Sequence, residues 1–323
     1  MTQFVIGEYS MKNVLVSIIV PVFNEENNIK KIVNNLLNQQ FKEFEVIFIN
    51  DGSTDCTETK IKEIEDIYVE ELSISYYYQD NSGVGSARNK GINKAIGKYV
   101  CFLDADDRYD STFLKELVRK IEITKSNVCY CGYKIVTPSK TKFIKSRFTK
   151  KNLLENYILG KTKIHTDSWM VERKFILEKG IYFYEESNWG EDFYFFCLLL
   201  SFHPSVSFVR KFLTNYYVGF DEDRLSCTDL DMIVKDILII ETIINKLKLE
   251  NTNSIYKALV NYRLPSLLLN RFILLSKEKS IDRLLLKKMS IKYKKYYSKQ
   301  SYRYGIPSIK QLVRKIQFKL LIK

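Results

Sequence analysis

The feature that most constrains this chain is a unit repeated through its first third: an apolar run, a polar break, then residues at helical spacing. Val16-Ser-Ile-Ile-Val-Pro-Val-Phe23 is β-rich and stops at Asn24-Glu25-Glu26-Asn27, after which Ile29, Ile32, Val33, Leu36 and Leu37 recur with a helical period. Phe44–Asn50 is a second apolar run, broken by Asp51-Gly52-Ser53-Thr54-Asp55 ahead of a polar helix over 56–66. A third run, Ile74–Tyr78, leads through the loop Asn81–Gly85 into a helix over 86–95, and the run over 98–103 ends at Asp104. Strands alternating with helices predict an α/β architecture with a mostly parallel sheet and right-handed crossovers.

In such sheets a ligand sits beyond the carboxyl ends of the strands. The residues there are Asn24-Glu25-Glu26, Asp51, the Gly83 loop and Asp104-Ala105-Asp106-Asp107. Each taken singly has an ordinary explanation, because Asp and Ser cap helices and Gly turns chains. Ser53, Thr54, Asp55 and Asp110 are read as turn and cap residues, Asp107 as a helix cap, and Asp51, Asp104 and Asp106 as functional. Asp104-Ala105-Asp106 after an apolar strand is where a hard divalent cation is held by one or two carboxylates together with phosphate oxygens, which suits a nucleotide diphosphate.

Together, Val16–Asn24, Ile49-Asn-Asp51-Gly-Ser-Thr-Asp55, Gly85-Ser-Ala-Arg88-Asn89-Lys-Gly91 and Phe102-Leu-Asp104-Ala-Asp106-Asp107 resemble glycosyltransferase family 2. The likeness is dense over residues 15–115, recurs at Glu191-Asp192 and is absent from about residue 230. It implies a GT-A fold and a cytosolic inverting transferase that moves a sugar from a nucleotide donor, commonly a UDP-sugar, to an acceptor hydroxyl. By the same resemblance Pro21, Phe23 and Asp51 line the nucleobase site, Glu26 touches the nucleotide, and Arg88 lies near the base or diphosphate. Asp104 holds the ribose, and Asp106, with Asp104, holds Mn2+ or Mg2+ as the DXD motif. The family takes its base from a Glu-Asp pair, so Asp192 is the implied base and Glu191 the fallback. Both stand at the start of the apolar run Phe193–Leu200, where their ordinary alternative is helix capping. Trp189 is a candidate for stacking on the acceptor sugar. Many family members carry a basic residue in an aromatic strand here; Tyr216-Tyr217-Val218 lacks it, and Arg224, with Ser226 beyond it, is the substitute considered.

The 323 residues are enough for one large domain with an appendage, read as a GT-A catalytic domain over 1–228 and a helical region over 229–323. Ile233, Ile237, Ile240, Ile244 and Leu247 keep a 3.6-residue period, and a helix over 255–275 is expected to bend near Pro265. Net charge is +13, and residues 281–323 carry 13 Lys/Arg against the single acid Asp282. Ile309, Leu312, Val313, Ile316 and Leu320 recur at helical spacing with Lys310, Arg314, Lys315 and Lys319 on other faces, the pattern of a basic amphipathic helix on an anionic membrane. With no charged-then-apolar leader and no apolar run near the ~20 residues of a membrane span, the six cysteines are expected to be reduced. Cys129 and Cys131 are expected to pack as core, and the lone His165 and His203 are left out of the site. The expected location is cytoplasmic, peripheral at the inner face of the membrane, in surface polysaccharide, capsule or lipopolysaccharide assembly. A glycan or lipid-linked molecule is the expected acceptor, and a homodimer through the C-terminal helices stays open. The alternatives are a sugar nucleotidyltransferase, disfavoured because its Gly-rich loop is missing after the first strand, and a basic nucleic-acid-binding protein. Nucleic acid is not expected, since a carboxylate-lined crevice repels phosphates. No G-x-G-x-x-G follows the first strand, which disfavours a dehydrogenase.

Overall fold

A computed structural model describes residues 14–219, 230–278, 281–298 and 303–321. The first half alternates as the repeat requires: β1 (Val16–Val22), α1 (Ile29–Leu37), β2 (Phe44–Asp51), α2 (Thr57–Ile67), β3 (Ser73–Gln79), α3 (Val84–Lys94) and β4 (Tyr99–Phe102). Next come β5 (Arg108–Tyr109), α4 (Phe113–Thr124), β6 (Val128–Thr137), β7 (Lys140–Phe143), α5 (Leu153–Ile158), β8 (Trp169–Glu172), α6 (Arg173–Lys179), α7 (Glu191–Ser201) and β9 (Val206–Tyr217). The remainder is helical: α8 (Asp231–Lys246), α9 (Ser254–Ala258), α10 (Leu264–Leu275), α11 (Arg283–Lys292), α12 (Lys294–Tyr297) and α13 (Ile306–Leu321).

The strands form one sheet in the order β3-β2-β1-β4-β8-β6-β9-β5, with β7 paired to β6. Its β3-β2-β1-β4 half is parallel throughout, while β4–β8, β8–β6, β6–β7 and β9–β5 are antiparallel and β6–β9 is parallel. Within the parallel half β1, β2 and β4 are buried on both faces and so read as unbroken apolar runs, while the edge strand β3 is only partly buried. Along β1, Ile18, Val20 and Val22 face α1 in one core while Ile19 faces the other with Ala87 and Ile92 of α3. The mixed half comes from strands separated by irregular chain, whose pairing no local pattern encodes. The polar stretch after Pro138 contains β7, a hairpin partner of β6. Cys101, Cys129 and Cys131 are fully buried in the α1-side core, and burial pushes the Cys129 thiol up to about 12.

The second core runs without a break from Ile19 and Trp169 through α7 to Ile240, Phe272 and Phe318, so the C-terminal helices share the interior of the sheet domain. The expected bend near Pro265 is a π-helical turn over Leu259–Arg263 joining α9 to α10. Pro265 has no N–H to give to a regular helical ladder, and the widened turn just before it accommodates that loss.

Gly91 shows how closely α3 lies on β1. A Cβ there would meet Ile19 Cγ2 at 2.3 Å and Cγ1 at 3.1 Å. Alanine in a helix is worth ~1 kcal/mol over glycine, but overpacking a closed core costs ~1–3 kcal/mol. Gly91→Ala is therefore expected to lower stability by about 1 kcal/mol, measured by urea unfolding, and an increase would mean that α3 moves freely off the strand.

Candidate active site

The carboxyl ends of β1 and β2 are drawn together by side chains of their own loops. Ser53 Oγ accepts from Asn24 N at 2.9 Å, Thr54 N donates to Asn24 Oδ1 at 2.8 Å, and Glu25 N donates to Thr57 Oγ1 at 2.7 Å. Asp55 accepts from Thr57 N at 3.0 Å and Glu26 N at 3.2 Å, the capping task expected of it. Glu26 Oε2 accepts from Cys56 N at 2.9 Å, so the carboxylate assigned to the nucleotide by resemblance is engaged at the start of α2. Pro21 is buried within β1, whereas Phe23, just past the strand end, is 46% exposed.

Asp51 is 5% exposed and organises the next loop. Its Oδ1 accepts from Gln79 Nε2 and Ser82 N, both at 2.8 Å, and its Oδ2 accepts from Gly83 N at 2.8 Å. One lone-pair direction on Oδ2 remains for a further donor such as a base N–H. Gly83 has φ +90°, and a Cβ there would meet Asn188 Oδ1 at 1.8 Å, so only glycine fits this turn into α3.

Arg88 is the hub. Its guanidinium is buried; one terminal nitrogen donates to Asp104 Oδ1 at 2.6 Å and the other to Glu191 Oε1 at 2.9 Å. Burial opposes its charge, but Asp104 and Glu191 outweigh that and raise its pKa. Arg88 joins the end of β4 to the first turn of α7, and its ring-side neighbour is Phe183 at 5.2 Å. The two carboxylates respond in opposite directions. Burial raises the Asp104 carboxyl, yet Arg88 and His165 overcome it and hold the group below its usual range. Glu191 is raised by burial and by the charge of Asp192, with Arg88 opposing.

Asp192 stands one residue further on, half-buried, accepting from Phe193 N at 2.5 Å and from Thr166 Oγ1 at 3.4 Å. Gly190 precedes Glu191 in the left-handed region, φ +75°, and sets the sharp entry into α7. Trp189 does not stand free beside the site. Its indole N–H donates to Asp236 of α8 at 2.8 Å, and Arg271 of α10 lies 4.7 Å over its ring while donating to Asp236 at 3.1 Å. The loop before α7 is thereby fixed to the C-terminal helices.

Asp107 is not a helix cap. It is 1% exposed, accepts from Tyr217 N at 3.0 Å, and is pushed up to about 8 by burial and by the charges of Asp106 and Asp104. Capping falls instead to Asp110, which accepts from Thr112 N at 3.1 Å. Beside Asp107 lie two residues from just before β8 that the sequence reading passed over. His165 Nδ1 is 3.6 Å from Asp107 Oδ2 and 3.9 Å from Asp167 Oδ2, and Asp167 accepts from Asp104 N at 3.3 Å. Asp107 Oδ2 and Asp167 Oδ2 are buried without a hydrogen-bond partner. Donor atoms of Asp107, His165 and Asp167 all lie within 4.8 Å of one another, a hard and borderline donor set that suits a divalent cation. Asp106, half-buried, is adjacent in the same turn, and Ala105 between the two acids is buried in the core. Sixty residues of chain separate His165 from the acids, and no spacing signal joins them. Arg224 and Ser226 lie outside the described residues.

The chain is 33% identical over 154 residues to the putative teichuronic acid biosynthesis glycosyltransferase TuaG of Bacillus subtilis, covering 45% of this chain and 59% of TuaG. The chain spans less than two thirds of the length of the first curated relatives it matches, from 14% to 59%. Among solved structures, S. aureus TarS 1-349 in complex with UDP-GlcNAc superposes with a TM-score of 0.67 at 20% identity, covering 96% of this chain and 90% of that one. The mannosyltransferase PcManGT from Pyrobaculum calidifontis, in complex with GDP-Man and Mn2+, gives 0.57 at 14% identity, covering 94% and 86%. These likenesses carry the GT-A fold, with its α/β sheet and C-terminal helices. The family model for glycosyl transferase family 2 matches residues 17–181, half of the chain, and the chain belongs to that family.

Proposed function

We propose that the protein is an inverting glycosyltransferase that moves a sugar from a nucleotide donor, a UDP-sugar, to a hydroxyl of a glycan or lipid-linked acceptor in surface polysaccharide synthesis. The observation that carries this reading is the Arg88 bridge, which sets the donor-side acid Asp104 and the Glu191-Asp192 pair of α7 on opposite sides of one guanidinium. Family membership and the nucleotide-sugar complexes of TarS and PcManGT support it.

In this reading Phe23 stacks on the base, Asp51 accepts from it through the free Oδ2 direction, and Asp104 orients the ribose. Asp106 holds Mn2+ or Mg2+, with Asp104 and the Asp107–His165–Asp167 group as the neighbouring donors. A divalent cation bound there would neutralise the charge growing on the leaving diphosphate. Inversion needs one displacement, so a single base takes the acceptor proton on the face opposite the diphosphate; Asp192 has that role. Glu191, tied to Arg88, positions Asp192. Trp189 fixes the loop that enters α7, and an acceptor contact uses the part of its ring left open. Asp106→Asn is expected to abolish the metal dependence of donor binding, followed by calorimetric titration with Mn2+ and with EDTA. Unchanged metal dependence would move the cation to Asp107, His165 and Asp167.

The reading includes peripheral attachment to the inner face of the cell membrane through α13. No described helix is long and apolar enough to cross a membrane. One side of α13 packs inward, with Phe318 stacked 5.2 Å from Phe272 and Gln311 Nε2 donating to Asn261 O at 3.0 Å. Ile309, Val313, Ile316 and Leu320 lie on the outer side, 47–67% exposed. Lys310 and Arg314 flank this stripe on one edge and Lys315 and Lys319 on the other, the arrangement an anionic bilayer surface complements. Ile309→Asp with Ile316→Asp is expected to weaken binding to phosphatidylglycerol vesicles about tenfold or more, at ~0.8 kcal/mol per buried methylene. Sedimentation at equal salt measures this, and unchanged binding would remove α13 from the account.

A further inference from the structure

Outside the site just described, a cavity of about 700 Å³ lies where the segments 145–147 and 159–163 meet the π-turn, α10 and the start of α13. The two segments are tied side by side, Arg147 N donating to Lys161 O at 3.1 Å and Lys163 N to Ser146 Oγ at 2.9 Å. They contribute Lys145, Arg147, Lys161 and Lys163 to the lining. Arg263, Lys310 and Arg314 face them from the helices, and among the described residues no Asp or Glu lines the cavity. Seven cations around one concave space repel each other: burial and the charges of Lys310 and Lys142 hold the Lys163 ammonium below its ordinary range. Among the described residues none of the seven is in an ion pair, Arg263 Nε is buried without a hydrogen-bond partner, and so is Ser266 Oγ. Such a cluster is unfavourable for the free protein and calls for a multivalent anion.

The cavity is one side chain away from the proposed base. The Arg263 guanidinium lies 4.5 Å over the ring of Phe193, the residue after Asp192, and Tyr157, stacked on Phe193 at 5.6 Å, feels the charges of both Asp192 and Arg263. Its other wall is α13, where Lys310 and Arg314 line the cavity on the edge of the exposed apolar stripe. We propose that this cavity binds the phosphate or diphosphate group of the acceptor. The acceptor hydroxyl then reaches toward Asp192, and any apolar chain attached to the phosphate leaves along α13. This rests on the transferase reading and extends it to the chemical class of the acceptor. A half-open concavity of this size suits a compact phosphate group better than the long charged stripe that tracks a nucleic acid.

The test uses the full chain with its donor site saturated by UDP and Mn2+. The probes are phosphatidylcholine vesicles carrying a polyprenyl diphosphate, and vesicles carrying phosphatidylglycerol at equal charge. The diphosphate vesicles are expected to bind more tightly, and Arg263→Gln or Lys310→Gln with Arg314→Gln to weaken them about tenfold, as loss of charge-assisted hydrogen bonds implies. Lys287→Gln with Lys288→Gln removes equal charge from exposed positions away from the cavity and is expected to leave the preference intact. Circular dichroism confirms that each variant folds. Competition by free inorganic pyrophosphate would identify a site open to soluble diphosphates, and resistance to it a site for the lipid-borne group; both support a phosphate site. Equal binding to the two vesicles, the same loss in the Lys287/Lys288 variant, or equal displacement by an oligonucleotide would overturn the proposal. Absence of donor binding by the wild type, with diphosphate binding intact, would instead overturn the transferase reading alone.

Discussion

Replacing Arg88 by methionine is expected to lower stability by about 3 kcal/mol and to abolish sugar transfer. Removing one partner of a buried ion pair leaves an uncompensated charge, which costs ~3–5 kcal/mol. Here two carboxylates lose their partner, but Asp104 keeps 29% of its side chain in contact with solvent, and this places the loss at the lower end. Arg88→Lys is expected to recover only part of either property. One ammonium cannot hold Asp104 and Glu191 in the fork geometry of two separate guanidinium nitrogens. Urea unfolding reads the stability, and product formation under conditions where each variant remains folded reads the transfer. A folded, fully active methionine variant would mean that α7 and β4 are held in register by something else.

Replacing Asp192 by asparagine is expected to separate binding from turnover. Asparagine keeps the Oδ1 acceptor for Phe193 N, and its Nδ2 can donate to Thr166 Oγ1, a hydroxyl that accepts as well as donates, so the first turn of α7 stays as it is. What it loses is the ability to take a proton, and a positioned general base contributes ~10²–10⁴-fold. The expected result is a fall in kcat of that order with donor affinity unchanged. Glu191→Gln is expected to act differently, loosening the hold of Arg88 and so changing both stability and turnover. Equal kcat for wild type and Asp192→Asn would remove the base assignment and turn attention to Glu191.

The parallel half of the sheet and its strand-end acids were legible in the sequence because apolar strands, turn residues and helical periods are local signals. Asp51, Asp104 and Asp106 could be picked out for the same reason: each follows directly on a readable strand. What the chain order conceals is pairing across distance. Arg88 reads as an arginine near a Gly-rich turn, and only the folded chain reveals that Glu191, 103 residues away, is its second partner. His165 and Asp167 carry no local mark at all, yet they stand beside Asp107 because β8 pairs with β4. Trp189 lies three residues before Asp192, but its commitment to Asp236 and Arg271 depends on how α8 and α10 dock. The tail helix gives the reverse lesson. Its apolar period is plain, while the choice of Phe318 and Gln311 rather than Ile309 and Ile316 for the packed side is settled by the surface of α10 and the π-turn before it.

The central claim, a nucleotide-sugar site at the carboxyl edge of the parallel strands, is tested most directly by titrating the wild-type protein with UDP-, GDP-, dTDP- and CMP-sugars in Mn2+, Mg2+ or EDTA. One donor class, the UDP-sugars, is expected to bind with metal and to fail to bind in EDTA. Binding of no donor under any of these conditions would contradict it.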